Sequence, residues 1–305
     1  MIYFIVKRLG WMALTLWIVF TLSFFLMRAV PGGPFDEERQ LSPEQQANIE
    51  ARYHLDDPLE KQYVDHLWRA VRFDLGECYK LQDYTVNEVI AEGFPVSASL
   101  GILALMFALS LGLTAGTISA LYRGSVWDVA VMAIATVGIA VPNFVLASLS
   151  IILFVFILDW LPAGGWGSIQ QLILPALCLG APFAAYIARL TRTGMLEVLS
   201  QDYIRTARAK GLRERRVVMR HALRGALLPV VSYLGPATAG ILTGSLVLEK
   251  IFFLPGMGTH FIDAATHLDY TLAMGMVLVY TALLYTMNLV VDVSYAIIDP
   301  RVKLD

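Results

Sequence analysis

Six stretches of this chain contain no charged residue: 9–27, 93–122, 129–158, 160–188, 225–248 and 270–291. About 20 apolar residues carry a helix across a hydrocarbon core about 30 Å thick, and a helix satisfies its own backbone N–H and C=O groups there. Each run is long enough for one crossing. The expectation is an all-α polytopic membrane protein with six transmembrane helices. Composition agrees, with 57% of residues in AVILMFWYC and only 16% charged, against about 25% charged in soluble domains. The fourth run gives its first residues to a turn, Leu161-Pro162-Ala163-Gly164-Gly165-Trp166-Gly167, because proline and glycine punctuate the chain.

Charge separates by side. Between Arg189 and Arg224 there are ten Lys/Arg (189, 192, 205, 208, 210, 213, 215, 216, 220 and 224) against three acids, Glu197, Asp202 and Glu214. A loop this basic stays cytoplasmic. Residues 31–92 instead carry 14 acids against six bases. Six crossings put Lys7, Arg8, Arg123, Arg301 and Lys303 on the basic side, so both termini are expected in the cytoplasm. Arg28 falls at the outer end of the first helix, from which it is expected to snorkel to the interface. The first run is too long for a signal peptide and no small-x-small site follows it, so it reads as a retained span. Cys78 and Cys178 fall on different sides of the interface, and no disulfide framework is expected.

The long outer loop has helix signals of its own. Ser42-Pro43-Glu44-Gln45 reads as an N-cap, a first-turn proline and a capping-box Gln, starting a helix to about Tyr53. Asp57-Pro58 restarts a second, with Leu59, Tyr63, Leu67 and Val71 at four-residue spacing. A small helical cap is expected, with two readings: packing against the outer ends of the spans, or a docking surface for an extracytoplasmic partner. Pro142, Pro175, Pro182 and Pro236 are expected to bend their helices. Small residues such as Gly112, Gly116, Gly235 and Gly240 permit close helix approach.

Catalytic signatures are missing. There is no Gly-x-x-x-x-Gly-Lys-Ser/Thr phosphate loop, no Gly-x-Ser-x-Gly and no His-Glu-x-x-His. Histidines 54, 66, 221, 260 and 267 lack metal-ligand spacing. Of the charged residues only Asp292, just past the last run and one turn after Asn288, comes near mid-span, and it is expected to pair with another helix or cap backbone. A chain without a buried carboxylate relay is expected to take its energy from outside.

Residues 202–211 followed by 222–229 resemble the cytoplasmic loop of binding-protein-dependent ABC importer permeases, Glu-Ala-Ala-x-x-x-Gly and then Ile-x-Leu-Pro. The matching positions here are Arg205, Thr206, Ala207 and Gly211, then Ala226, Leu228 and Pro229. The Glu and first Ala are replaced and the gap to Pro229 is longer, both as in the peptide-importer branch. Glu249–Gly258, Asp269-Tyr270, the series Asn288, Asp292, Tyr295, Asp299-Pro300-Arg301, and the N-terminal Phe24–Arg28 with Pro31-Gly32 resemble the same branch. The resemblance covers essentially the whole chain. The short link between the third and fourth runs is nearest to the first permease of oligopeptide importers. His267-Leu268 departs from it, standing where many relatives have an Arg before Asp-Tyr.

The resemblance implies a type I ABC importer permease fold, with 1–305 as a single transmembrane domain. Residues 31–92 are then a periplasmic helical loop and 193–224 the cytoplasmic coupling loop. It implies import of oligopeptides across a bacterial inner membrane, with dipeptides or cell-wall peptides as alternative cargo. A second homologous permease completes the path, two ABC ATPase subunits bind ATP and magnesium, and a periplasmic peptide-binding protein delivers the cargo. The chain itself is then not an enzyme and holds no cofactor; it touches membrane lipid and no nucleic acid. The coupling contact falls on Tyr203, Arg205, Thr206, Ala207, Lys210, Gly211 and Leu212. Gly211 suits a sharp turn because glycine reaches positive φ cheaply, and the arginines beyond suit acids on the ATPase or anionic lipid. No substrate-binding residue is singled out. On the residues alone two other classes stay open: an ATP-independent channel or secondary carrier, and a membrane scaffold whose basic loop only binds lipid.

Overall fold

The computed structural model describes residues 2–30, 35, 48–49, 51–81, 83–242 and 246–298. They are almost entirely helical, with no strand and one isolated antiparallel bridge, Glu77 to Thr85. The helices are α1 (Ile2–Ala29), α2 (Leu59–Val71), α3 (Val86–Leu121), α4 (Val126–Ala140), α5 (Asn143–Ile151), α6 (Ile169–Leu199), α7 (Asp202–Ala209), α8 (Glu214–Arg216), α9 (Leu223–Ala226), α10 (Leu228–Leu242), α11 (Leu246–Ile251), α12 (Met257–Thr266) and α13 (Tyr270–Ile298). π-helical turns extend α5 through Ile152–Ile157 and join α8 to α9 through Val217–Ala222. Among the described residues, four helices are long and apolar enough to cross a membrane, and a fifth crossing exists if α4 and α5 count as one bent span. The run expected to form another crossing, 225–248, contains α10 and the start of α11, with 243–245 outside the described residues.

The α4–α5 junction departs from the expected kink. The two helices meet at 110°. Pro142 has no N–H to continue the ladder, and its ring drives Val141 out of the helical region to φ −84, ψ 125. The helix therefore stops and restarts. Pro175 and Pro182 do no such thing: α6 runs unbroken through both. Its start is set by Gln171, whose Oε1 accepts the Ser168 N–H at 2.9 Å.

The chain divides into two compact units, Met1–Val96 with Pro255–Leu289 and Ser97–Leu254 with Val290–Lys303. In the first, α2 begins where Asp57-Pro58 places it. Tyr63 and Leu67 pack on Phe20, Phe24 and Met274. The Tyr63 hydroxyl bonds the Thr21 hydroxyl at 2.9 Å and accepts the Trp17 indole N–H at 3.1 Å. The Arg28 guanidinium lies 3.6 Å from the Phe24 ring centroid and donates to Gln62 Oε1 at 2.7 Å. The helix expected from Ser42 to Tyr53 lies mostly outside the described residues. Cys78 and Cys178 are free thiols, both buried.

In the second unit α3 and α6 lie backbone to backbone. A Cβ on Gly112 would stand 2.7 Å from the Ala184 carbonyl oxygen, and one on Gly180 would stand 2.6 Å from that of Ala104. Glycine at these places lets two helices approach closer than side chains allow. Ala108, Ile187 and Val230 are buried beside this seam, extending it to α10.

Candidate functional site

The basic loop folds as a helical hairpin on the end of α6. After Leu199, Ser200 and Gln201 turn the chain and α7 begins at Asp202. Its apolar residues Ile204 and Ala207 are three apart, so they share one face. That face is buried, Ile204 at 0% and Ala207 at 7% exposure, in a cluster with Ala120, Met195, Val217, Val218, Ala222 and Ala226. The return limb from α8 to α9 supplies most of the cluster, and Met195 of α6 and Ala120 of α3 supply the rest.

The end of α7 is a Schellman turn. The Gly211 N–H bonds the Arg208 carbonyl at 2.9 Å and the Leu212 N–H reaches back to the Ala207 carbonyl at 3.4 Å. This motif needs a left-handed residue between them, and Gly211 has φ +75. Leu212 then packs against the cluster that holds Ala207. Arg208 and Glu214 close the turn with an ion pair at 2.6 Å. Each partner shifts the other toward its charged form, so the Glu214 carboxyl sits below its ordinary range.

The seven residues singled out from the sequence therefore split. Ala207 and Leu212 face inward and build the hairpin. Tyr203, Arg205, Thr206, Lys210 and Gly211 face solvent. Arg205 pairs with Asp202 at 3.5 Å and the Thr206 hydroxyl donates to the Asp202 carbonyl at 3.0 Å. Arg216, Arg220 and Arg224 stand exposed at four-residue intervals on the return limb.

Sequence reasoning missed two buried polar features of this unit. Asp128, in the first turn of α4, is 5% exposed. It takes Arg192 of α6 in a two-pronged pair, Nε to Oδ1 at 2.7 Å and Nη2 to Oδ2 at 2.9 Å. The same carboxylate accepts the Ser119 hydroxyl and, at 2.9 Å, the Gly124 N–H. Glu249 of α11 is fully buried and accepts the Ser97 hydroxyl at 2.9 Å. These partners lie 64 and 152 residues apart, so no local spacing announces them. Ile204 was not singled out either, although its three-residue step to Ala207 is a local signal that could have found it.

Residues 112–304 match the family described as binding-protein-dependent transport system inner membrane component, and residues 1–101 match its N-terminal companion. The chain belongs to this family, and it is a multi-pass inner-membrane transport component. Over 305 residues it is 48% identical to the oligopeptide transport system permease protein OppB of Escherichia coli (strain K12), covering 99% of this chain and 100% of that one. It is 46% identical to the dipeptide transport system permease protein DppB of Bacillus subtilis (strain 168), covering 99% and 98%. In fold it is similar to a chain of the MetNI methionine ABC transporter, with TM-score 0.51 at 19% identity over 67% of this chain and 95% of that one. The fold is that of an ABC importer permease.

Proposed function

We propose that this chain is a translocation subunit of an ABC importer that carries oligopeptides across the bacterial inner membrane. The observation that carries the reading is identity close to one half with an oligopeptide permease, end to end in both chains. The similar dipeptide permease supports the wider class of peptide cargo.

In this reading α7 is the coupling helix. Its inward face, Ile204 and Ala207, fixes it to α6 and the return limb. Its outward face, Tyr203, Thr206 and Lys210 with Arg205 beside them, is free to seat in a groove of an ATPase subunit. Gly211 ends the helix sharply and keeps that end narrow. ATP and magnesium bind the two ATPase subunits, whose closure pushes on α7. A second, homologous permease forms the other wall of the path, and a periplasmic binding protein hands over the peptide. Residues 193–224 then face the cytoplasm with both termini, residues 31–92 face the periplasm, and 1–305 act as one transmembrane domain. Arg216, Arg220 and Arg224 meet acids of the ATPase or anionic headgroups, since a cationic row beside the membrane suits both.

The test is gentle solubilisation by an affinity tag, followed by reconstitution with binding protein, ATP and a labelled oligopeptide. Co-purification of a second permease and of ATPases, with ATP-dependent uptake, is the expected result. A chain that purifies alone and transports without nucleotide overturns the reading in favour of a channel or carrier.

A further inference from the structure

We propose that Arg192 and Asp128 are positioning residues that pass movement of α7 to the α4–α5 arm. The inference rests on the reading of α7 as the helix an ATPase moves, and adds where the movement goes next.

The geometry carries it in three steps. Arg192 lies seven residues before the end of α6, about 10 Å along a helix, and α6 leads to α7 through only two residues. A push on α7 is therefore a push on α6. Asp128 lies in the first turn of α4, with its N–H bonded to the Ser125 hydroxyl at 3.4 Å. Its carboxylate is the point where α3, the turn at Gly124, α4 and α6 meet, through Ser119, Gly124 and Arg192. Finally α4 ends at the 110° break before α5, a joint at which a shift of α4 changes the angle of α5.

Two physical facts make the pair a link rather than a loose contact. A two-pronged guanidinium–carboxylate bond fixes orientation as well as distance. A buried carboxylate cannot give up its partner without leaving an uncompensated charge. The N-terminal end of α4 therefore travels with α6 and does not slide past it. Elsewhere along α6 the contact with α3 is apolar packing, with Ile187 and Thr191 seated against Gly112 and Gly116; the charged fork is what ties α6 to the start of α4.

The experiment uses the whole reconstituted complex with binding protein, and measures peptide uptake and ATP hydrolysis on the same preparation. Asp128→Asn keeps one oxygen, enough for either the Gly124 N–H or the Ser119 hydroxyl, and loses the charge that holds Arg192. Arg192→Lys keeps the charge but replaces the fork by one ammonium. Both variants are expected to assemble with the ATPases, to hydrolyse ATP, and to lose about tenfold in uptake per ATP, the size of an ordinary coupling between sites. Asp128→Glu, which retains charge and two oxygens, is expected to recover part of the loss. Wild-type uptake per ATP in both Asp128→Asn and Arg192→Lys overturns the proposal. So does a fall in uptake that only follows a fall in assembled complex, because that marks a brace without a transmitting role. Failure of the α7 reading shows elsewhere, as a wild-type complex that holds no ATPase.

Discussion

A Cβ placed on Gly194 would stand 2.6 Å from the carbonyl oxygen of Ala226. This contact joins the outgoing limb of the basic hairpin, α6, to the returning limb, α9, at its root. Real Cβ atoms do not come so close to backbone oxygen, so Gly194→Ala forces the two limbs apart. The expected cost is about 1–3 kcal/mol, as for other overpacked sites, read as a lower melting temperature of the purified protein. Gly10→Ala is the control: nothing lies within 4 Å of a Cβ there, and no loss is expected.

Ala207 and Thr206 are neighbours with opposite fates. Ala207→Asp drives a carboxylate among Ile204, Val217, Val218 and Ala222. An unpaired buried charge is costly enough to unseat α7, so the variant should melt early or fail to accumulate. Thr206→Asp adds the same charge on the exposed face. It should hold stability to within about 0.5 kcal/mol while lowering uptake through the ATPase contact. Equal damage to stability by both substitutions would place α7 in some other packing.

Gly211 separates conformation from contact. Its φ is +75 and no atom lies within 4 Å of the place a Cβ would take, so only backbone strain opposes substitution. Gly211→Asn should fold normally, because asparagine visits the left-handed region readily, whereas Gly211→Val should cost about 1–2 kcal/mol. Loss of uptake in a normally melting Gly211→Asn reports a contact outside this chain. Wild-type uptake in that variant removes Gly211 from the coupling surface.

These residues show where sequence is informative and where it falls silent. The four long apolar helices and the basic hairpin follow from charge-free length and from clustered charge, both local properties of the chain. Gly211 was legible for the same reason: a helix stop is a matter of one residue's φ. The inward turn of Ala207 was not read from the sequence, although its three-residue step from Ile204 is a local signal. The α4–α5 break at Pro142 was legible as a disturbance but not in its size, because Pro175 and Pro182 have the same ring and leave α6 intact. What decides is whether the neighbours refill the missing hydrogen bonds. Asp128 with Arg192, and Ser97 with Glu249, were illegible, since their pairing exists only once distant helices have packed. The partner of Arg28 was illegible for the same reason, Gln62 being supplied by α2.

The first unit carries the last prediction. His66 of α2 is largely buried, with its ring 6.2 Å from that of Phe24. Burial, and then repulsion from Arg28 and Arg69, lower its pKa to about 4 against the opposing pull of Asp65. The folded chain therefore holds this imidazole neutral, while the unfolded chain protonates it below about 6.5. A depressed pKa contributes stability that is complete above pH 6.5 and is lost as pH falls toward about 4. The loss is at most about 3.5 kcal/mol, at about 1.4 kcal/mol per pKa unit. Thermal unfolding of the purified protein at pH 7 and pH 5 should show the unit loosening in acid. His66→Phe, with no proton to take up, should remove that part of the pH dependence. Parallel pH profiles for the wild type and His66→Phe would assign acid sensitivity to other groups.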